Sequence, residues 1–402
     1  MNILKLSAKN LSRNRLTTFL NVVLVAFGVG ILSILFLAST QIGNKLESNS
    51  KDIDLVVGAK GSPLQLILSS IYHIDFPTGN IPAEDAQELM NNPMVKRAVP
   101  LGLGDNYQGY RIVGTDTSFI GLYGLKLNSG RFWKADLEAT LGFDAARELK
   151  LKVGDKFYGA HGLSDASDEH KDHAYLVTGI LSPQGNVTDN LILTNMGSIY
   201  QMHEPEQRHE VSKIEKPGET AGREITALLI QYRSPMSVVI FPRLVNQSTN
   251  MQAASPAMES ARLFSLIGVG VETLKWFAIL IMGISAFSVF ISMYNAMKEK
   301  KYDLAILRCL GASKSKVFFL VMLEGLLITI IGALFGLVIG HLALSLIGHY
   351  QESSQAKLTG IYFVADELYL ILAGIGIGVV AAIIPALQTY QVDIAKTLSK
   401  DK

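Results

Sequence analysis

Four stretches of the chain are long, apolar and almost free of charge, and the first two are separated by more than two hundred residues with a different rhythm. Residues 16–44 contain no charged side chain. That exceeds the ~20 helical residues needed to cross a ~30 Å hydrocarbon layer, and it predicts a membrane helix over 17–40. Further spans are predicted at 276–297, at 317–347, where only Glu324 and His341 interrupt the run, and at 368–392. In the polar stretch 298–316, Leu304, Leu307 and Leu310 recur every third residue, which predicts a short helix with one apolar face. Gly311 then stops that helix by taking a left-handed conformation, and Ser313 or Ser315 caps the helix that follows.

The segment 45–275 alternates in the manner of a folded mixed domain and is long enough to bury its own core. Strands are predicted at 53–57, 111–113, 175–178, 191–193 and 225–231, and helices at 83–91, 143–149, 196–202 and 236–245. Residues 203–223, rich in Glu, Lys, Pro and Gly, read as a flexible insertion. The expected fold is an α-helical membrane protein of four transmembrane helices, with a mixed α+β extracytoplasmic domain between helices 1 and 2.

Charge orients this arrangement. Residues 1–16 carry Lys5, Lys9, Arg13 and Arg15 without an acid, and 298–316 holds six basic side chains against two acidic ones. The loop 348–367 has three acids against one lysine, and 45–275 is net negative. The positive-inside tendency therefore places both termini and the 298–316 loop in the cytoplasm. The basic start resembles that of a signal peptide and also fits an amphipathic helix on the inner membrane surface. The uncharged run behind it is longer than a signal-peptide core, so it is read as a retained helix. A net charge of +1 gives no support to nucleic-acid binding. A single cysteine, Cys309, excludes a disulfide framework within one chain. No G-x-x-x-x-G-K-[ST] phosphate loop is present, so ATP hydrolysis by the chain itself is not expected. An intramembrane enzyme is disfavoured because the apolar runs hold no nucleophile and base at helical spacing.

The run YDLAILRCLGASKSKVFFLVMLEGLL resembles the C-terminal half of ABC transporter permeases of the MacB, LolC/LolE and FtsX type. Asp303, Leu307, Arg308, Leu310, Gly311 and Ala312, with Ser313 beside them, fall on that family's cytoplasmic coupling segment, and Glu324 falls at the start of its third membrane helix. Asp303 departs from the family's more frequent glutamate. Residues 122–157 resemble a MacB-like periplasmic core domain through Gly130, Arg131, Leu141, Gly142, Val153, Gly154 and Asp155. At the chain's end Pro385, Ala386 and Asp393 match, while Ile394 replaces a second proline. The resemblance implies an FtsX-like permease domain over 276–395 and a bacterial inner-membrane location. It also implies a separate ABC ATPase subunit that supplies ATP binding, and a homodimer or paired permease. Export, lipid or lipoprotein release, and mechanical transmission to a periplasmic partner are the functions that follow. The reading from another class is a membrane-anchored sensor or regulator whose outer domain controls a partner, linked to a divalent metal.

Three further sets of residues carry chemistry. Glu324 lies eight residues past Lys316, ~12 Å into the membrane layer at ~1.5 Å per residue. A charge there costs on the order of 2.5–3.5 kcal/mol, which calls for a basic partner near a helix end or for a role in transmitting movement. Gly332, Gly336 and Gly340 share one helical face, as do Gly374 and Gly378, and such stripes permit close packing within the bundle or with a second copy. In HGLSDASDEHKDH, the residues His161, Asp168, His170 and His173 offer nitrogen and oxygen ligands of the kind zinc accepts. The same polar stretch also fits a solvated loop.

Overall fold

The computed structural model describes residues 3–161, 169–203, 222–350 and 358–391. The chain forms two compact units, one from its start and its final third, the other from the described residues between 43 and 266. The first unit begins with α1 (Ile3–Arg13), which lays Leu6, Leu11 and the fully buried Ser7 against the bundle and leaves Lys5, Lys9 and Arg13 exposed. After Asn14, α2 (Arg15–Asn49) buries Val25, Val29 and Leu32 on one face and exposes Phe19, Val23 and Phe27 on another. That division is expected of a helix with protein on one side and lipid on the other.

The second unit runs β1 (Leu55–Ala59), α3 (Pro63–Ser70), β2 (Ile81–Pro82), α4 (Ala83–Met90), β3 (Val95–Leu101), β4 (Asp105–Tyr107) and β5 (Tyr110–Thr115). It continues through α5 (Thr117–Tyr123), β6 (Leu127–Gly130), β7 (Glu138–Leu141), α6 (Phe143–Leu149), β8 (Lys156–His161), β9 (Glu169–Leu181) and β10 (Leu191–Asn195). It ends with α7 (Met196–His203), β11 (Glu224–Ile225), β12 (Ala227–Tyr232), α8 (Ser237–Ser248) and β13 (Met251–Ala254). One sheet is antiparallel in the order β13-β1-β12-β3, and α4 and α8 add Ala86, Leu89, Phe241 and Val245 to its core. A second, mixed sheet runs β6-β9-β7-β10-β5-β4-β8, and the long β9 also pairs with β8, so the sheet closes on itself. It contains two parallel pairs, β5 with β10 and β7 with β9, and β5 and β10 bury almost every residue, as strands covered on both faces must.

The Gly130–Arg131 turn has a clear local role. Gly130 sits at φ +76° with no room for a Cβ beside Thr178, and Arg131 forks both oxygens of Glu138 at 2.7 and 2.5 Å. Those bonds, with the N–H groups of Lys134 and Ala135, hold the Glu138 carboxyl down at about 2 and fix the start of β7. His73 is buried in the turn after α3 at φ +54°, and neither ring nitrogen finds a hydrogen-bond partner among the described residues. Burial, reinforced by the nearby Arg111 guanidinium, pushes it down to about 3.

The chain returns to the first unit through α9 (Pro256–Glu299), followed by α10 (Lys301–Cys309), α11 (Lys314–Tyr350) and α12 (Glu367–Gln388). Among the described residues α2, α9, α11 and α12 are long and apolar enough to cross a membrane, and they are the four membrane-spanning helices. The glycine stripe of α11 faces α2. A Cβ at Gly332 would stand 2.7 Å from Val25 Cβ, one at Gly336 2.7 Å from the Ala26 carbonyl oxygen, and one at Gly340 2.9 Å from Ser33. On α12, Gly374 meets Ala333 and Gly378 meets Thr329. Both stripes therefore bring helices of one bundle into backbone proximity.

Candidate functional site

The segment between α9 and α11 is a nine-residue helix with two apolar faces. Leu304 and Ala305 are buried, and Leu307 is partly buried against the bundle core. Tyr302, Ile306 and Leu310 follow at i, i+4 and i+8 on the outside, with Leu310 80% exposed. The expected single apolar face of Leu304, Leu307 and Leu310 is thus corrected. Each step of three residues falls ~60° short of a full turn, so Leu310 lies ~120° from Leu304.

Gly311, at φ +92°, closes this helix. Its N–H bonds the Arg308 carbonyl at 3.1 Å and that of Ala312 reaches back to Leu307 at 3.0 Å, the pair of bonds that defines a Schellman end. Ser313 Oγ then accepts the Lys316 N–H at 3.3 Å and caps α11. Asp303 faces Arg13 of α1 at 3.7 Å, but both side chains are largely exposed and such a pair contributes little.

Glu324, about three turns into α11 from its Ser313 cap, is the buried anchor of this segment. Asn10 of α1 donates to it at 2.6 Å, and Lys300, at the junction of α9 and α10, approaches both oxygens at 3.3 and 3.4 Å. Met297, Leu304, Leu320 and Val321 wall the small cavity around them. Lys300 and Glu324 thus link the start of α10 to α1 and α11.

A second buried carboxylate lies at the opposite end of the bundle. Glu367, fully buried at the start of α12, accepts Ser33 O–H of α2 at 2.6 Å and the Val364 N–H at 3.2 Å, and it meets His341 Nε2 of α11 at 3.0 Å. His341 Nδ1 lies 2.5 Å from the Gly360 carbonyl oxygen.

Comparison with known proteins decides what this arrangement belongs to. Residues 18–240 match the MacB-like periplasmic core domain, and residues 276–394 match the FtsX-like permease C-terminal domain. The chain belongs to the MacB/FtsX-like ABC transporter permeases. It is 26% identical over 240 residues to an uncharacterized ABC transporter permease protein of Mycobacterium tuberculosis, covering 56% of this chain and 25% of that one. It is 28% identical over 145 residues to the lipoprotein-releasing system transmembrane protein LolE of Haemophilus influenzae, covering 32% and 35%. The permease thus spans a quarter and about a third of the lengths of these relatives. The crystal structure of the periplasmic region of MacB from Actinobacillus actinomycetemcomitans aligns with 55% of this chain and 97% of its own, at 11% identity and a TM-score of 0.35.

Neither matched domain of the permease is a nucleotide-binding domain. The sequence pattern singles out Glu324 and the Asp303–Ser313 segment but misses Asn10, Lys300, Ser33 and Glu367. A polar residue on the inward face of an amphipathic helix is the signal that marks Asn10, and His341 inside an apolar run marks a site in need of a partner. Of the suggested zinc ligands, Asp168 lies outside the described residues. His161 is at the end of β8, and His170 and His173 are on β9. Among the described residues no three metal-ligating side chains converge.

Proposed function

We propose that this permease is the membrane subunit through which a separate ABC ATPase moves the periplasmic domain, with α10 as the element on which the ATPase acts. The observation that carries this reading is the exposed apolar stripe Tyr302–Ile306–Leu310 set among Lys298, Lys301, Arg308 and Lys314. An apolar helix face ringed by charge is the form of a helix that docks in a partner's groove. Its inward face is tied through Lys300 and Glu324 to α1 and α11, so force delivered to the stripe enters the bundle. Both termini and α10 lie in the cytoplasm, in keeping with their basic charge.

The permease works as a pair, and α9 supports this with Trp276, Leu280, Ile284 and Phe287 exposed along one face. Driven movement of the periplasmic domain serves export, release of a lipid or lipoprotein, or transmission to a periplasmic partner. The test is a pull-down of the ATPase with Gly311→Val and Arg308→Glu variants. Valine resists positive φ and would disturb the closure of α10, and reversal of Arg308 alters a contact charge. Both should retain normal membrane levels and lose most of the captured ATPase. Capture at the wild-type level by both variants would contradict the proposal.

A further inference from the structure

His341 is held between two acceptors. Its Nδ1 faces the Gly360 carbonyl oxygen at 2.5 Å and its Nε2 faces the Glu367 carboxylate at 3.0 and 3.1 Å. A carbonyl oxygen cannot donate, an ionised carboxylate cannot donate, and a neutral imidazole has one N–H. Neutral imidazole with ionised carboxylate therefore leaves a lone pair of the ring pointing at an acceptor. The hydrogen-bond set closes only when the pair holds one more proton, either as imidazolium with carboxylate or as imidazole with carboxylic acid. Ser33 O–H and Val364 N–H serve the carboxylate's other positions and are single donors already in use.

We propose that His341 and Glu367 form a proton-binding site whose occupancy latches the loop 358–366 onto the bundle. The loop is attached at several points. The Gly360 carbonyl takes His341 and its N–H reaches Ser345 Oγ at 3.2 Å, and the Gln41 and Thr359 amides exchange bonds at 2.6 and 2.9 Å. The loop backbone presses so closely on α11 that neither Gly348 nor Gly360 has room for a Cβ. Among the described residues, the groups around the pair from α2, α11 and the loop are Ser33, Gln41, Ser345, Thr359 and Phe363, whose ring stacks on the imidazole. None of these titrates, and Asp366, beside Glu367, is exposed. Loss of the shared proton sets like dipoles against each other at Gly360 or Glu367 and frees the loop. The latch belongs to the bundle alone and stands whether or not an ATPase drives the permease.

The test uses the full chain in lipid nanodiscs with Cys309→Ser and nitroxide labels at the exposed Leu346 and Ile361, followed from about pH 5 to pH 9. Nitrogen NMR of His341 reads the ring protons in parallel. The wild-type chain should lose its short, narrow distance component in step with loss of the second proton of the pair. In Glu367→Gln the amide N–H supplies the missing donor to Nε2, while the neutral ring donates Nδ1–H to Gly360. That variant should keep the short component across the whole range, and His341→Leu should lack it throughout. A wild-type distance indifferent to the ring's protonation, or a Glu367→Gln profile that follows the wild type, would overturn the latch. If His341→Leu fails to insert, the wild-type and Glu367→Gln profiles decide the matter by themselves.

Discussion

His73 and Lys300 show how much single side chains set the behaviour of this permease. The ring of His73 is held neutral down to about pH 3, whereas in an unfolded chain it takes a proton near 6.5. Its contribution to stability is complete above 6.5 and is lost as pH falls from there toward 3, on the order of a kcal/mol per pH unit. Fluorescence of the buried Trp133, in a chain carrying Trp276→Phe, should report acid unfolding of the periplasmic domain over this window. His73→Asn, which tolerates the left-handed backbone and does not titrate, should flatten that dependence. Removal of Lys300 should act differently. Lys300→Met leaves Glu324 with Asn10 as its remaining neutral donor and should cost on the order of 2 kcal/mol in thermal unfolding. That is below the ~3–5 kcal/mol of a fully buried pair, because both side chains keep some exposure. The double variant Lys300→Met/Glu324→Gln should recover much of the loss, and a double variant that merely adds the two losses would contradict the pairing. At this scale the sequence was legible where chemistry is local, as in the Gly311 closure and the Ser313 cap. Glu367 was not legible, because a hydropathy run stops at the first charge. Its burial is decided by His341 and Ser33, which lie 26 and 334 positions away.

Among the helices, contact between α2 and α11 depends on the absence of side chains at three successive turns. Gly336→Ala would place a methyl group 2.7 Å from the Ala26 carbonyl oxygen and 2.8 Å from Val29 Cβ, and forced separation of this kind costs about 1–3 kcal/mol. Gly376, on α12, has open space around it, so Gly376→Ala should be neutral or slightly stabilising through helix propensity. Thermal unfolding in detergent compares the two, and equal losses would show that the stripe is not a packing surface. The stripe was visible as spacing, but whether it faces α2 or a second copy is a property of tertiary structure. The strands of the periplasmic domain divide in the same way. β1, β5, β10 and β12 are buried, apolar and readable from pattern. β3, VKRAVPL, hides behind its charges and its proline, which its place at the edge of the first sheet allows. β6, LNSG, is largely exposed and offers no alternation to read.

For the whole molecule, the order of a membrane helix, a long mixed domain and three more membrane helices was carried by hydropathy alone, and charge predicts its orientation. Cys309 is exposed at the end of α10, so it tests that orientation without any substitution. An impermeant thiol reagent applied to intact cells should leave it unlabelled, and should label Lys51→Cys and Tyr362→Cys in a Cys309→Ser chain. External labelling of Cys309 would invert the topology and remove α10 from reach of an ATPase. The most direct measurement of the central claim is ATP hydrolysis by the co-purified ATPase in proteoliposomes containing the wild-type permease or an Ile306→Asp/Leu310→Asp variant. Placing two carboxylates in a docked apolar stripe should reduce the permease-dependent stimulation by tenfold or more, about 1.4 kcal/mol or above, with insertion and thermal stability unchanged. Undiminished stimulation by that variant would contradict the assignment of α10 as the element through which hydrolysis moves the permease.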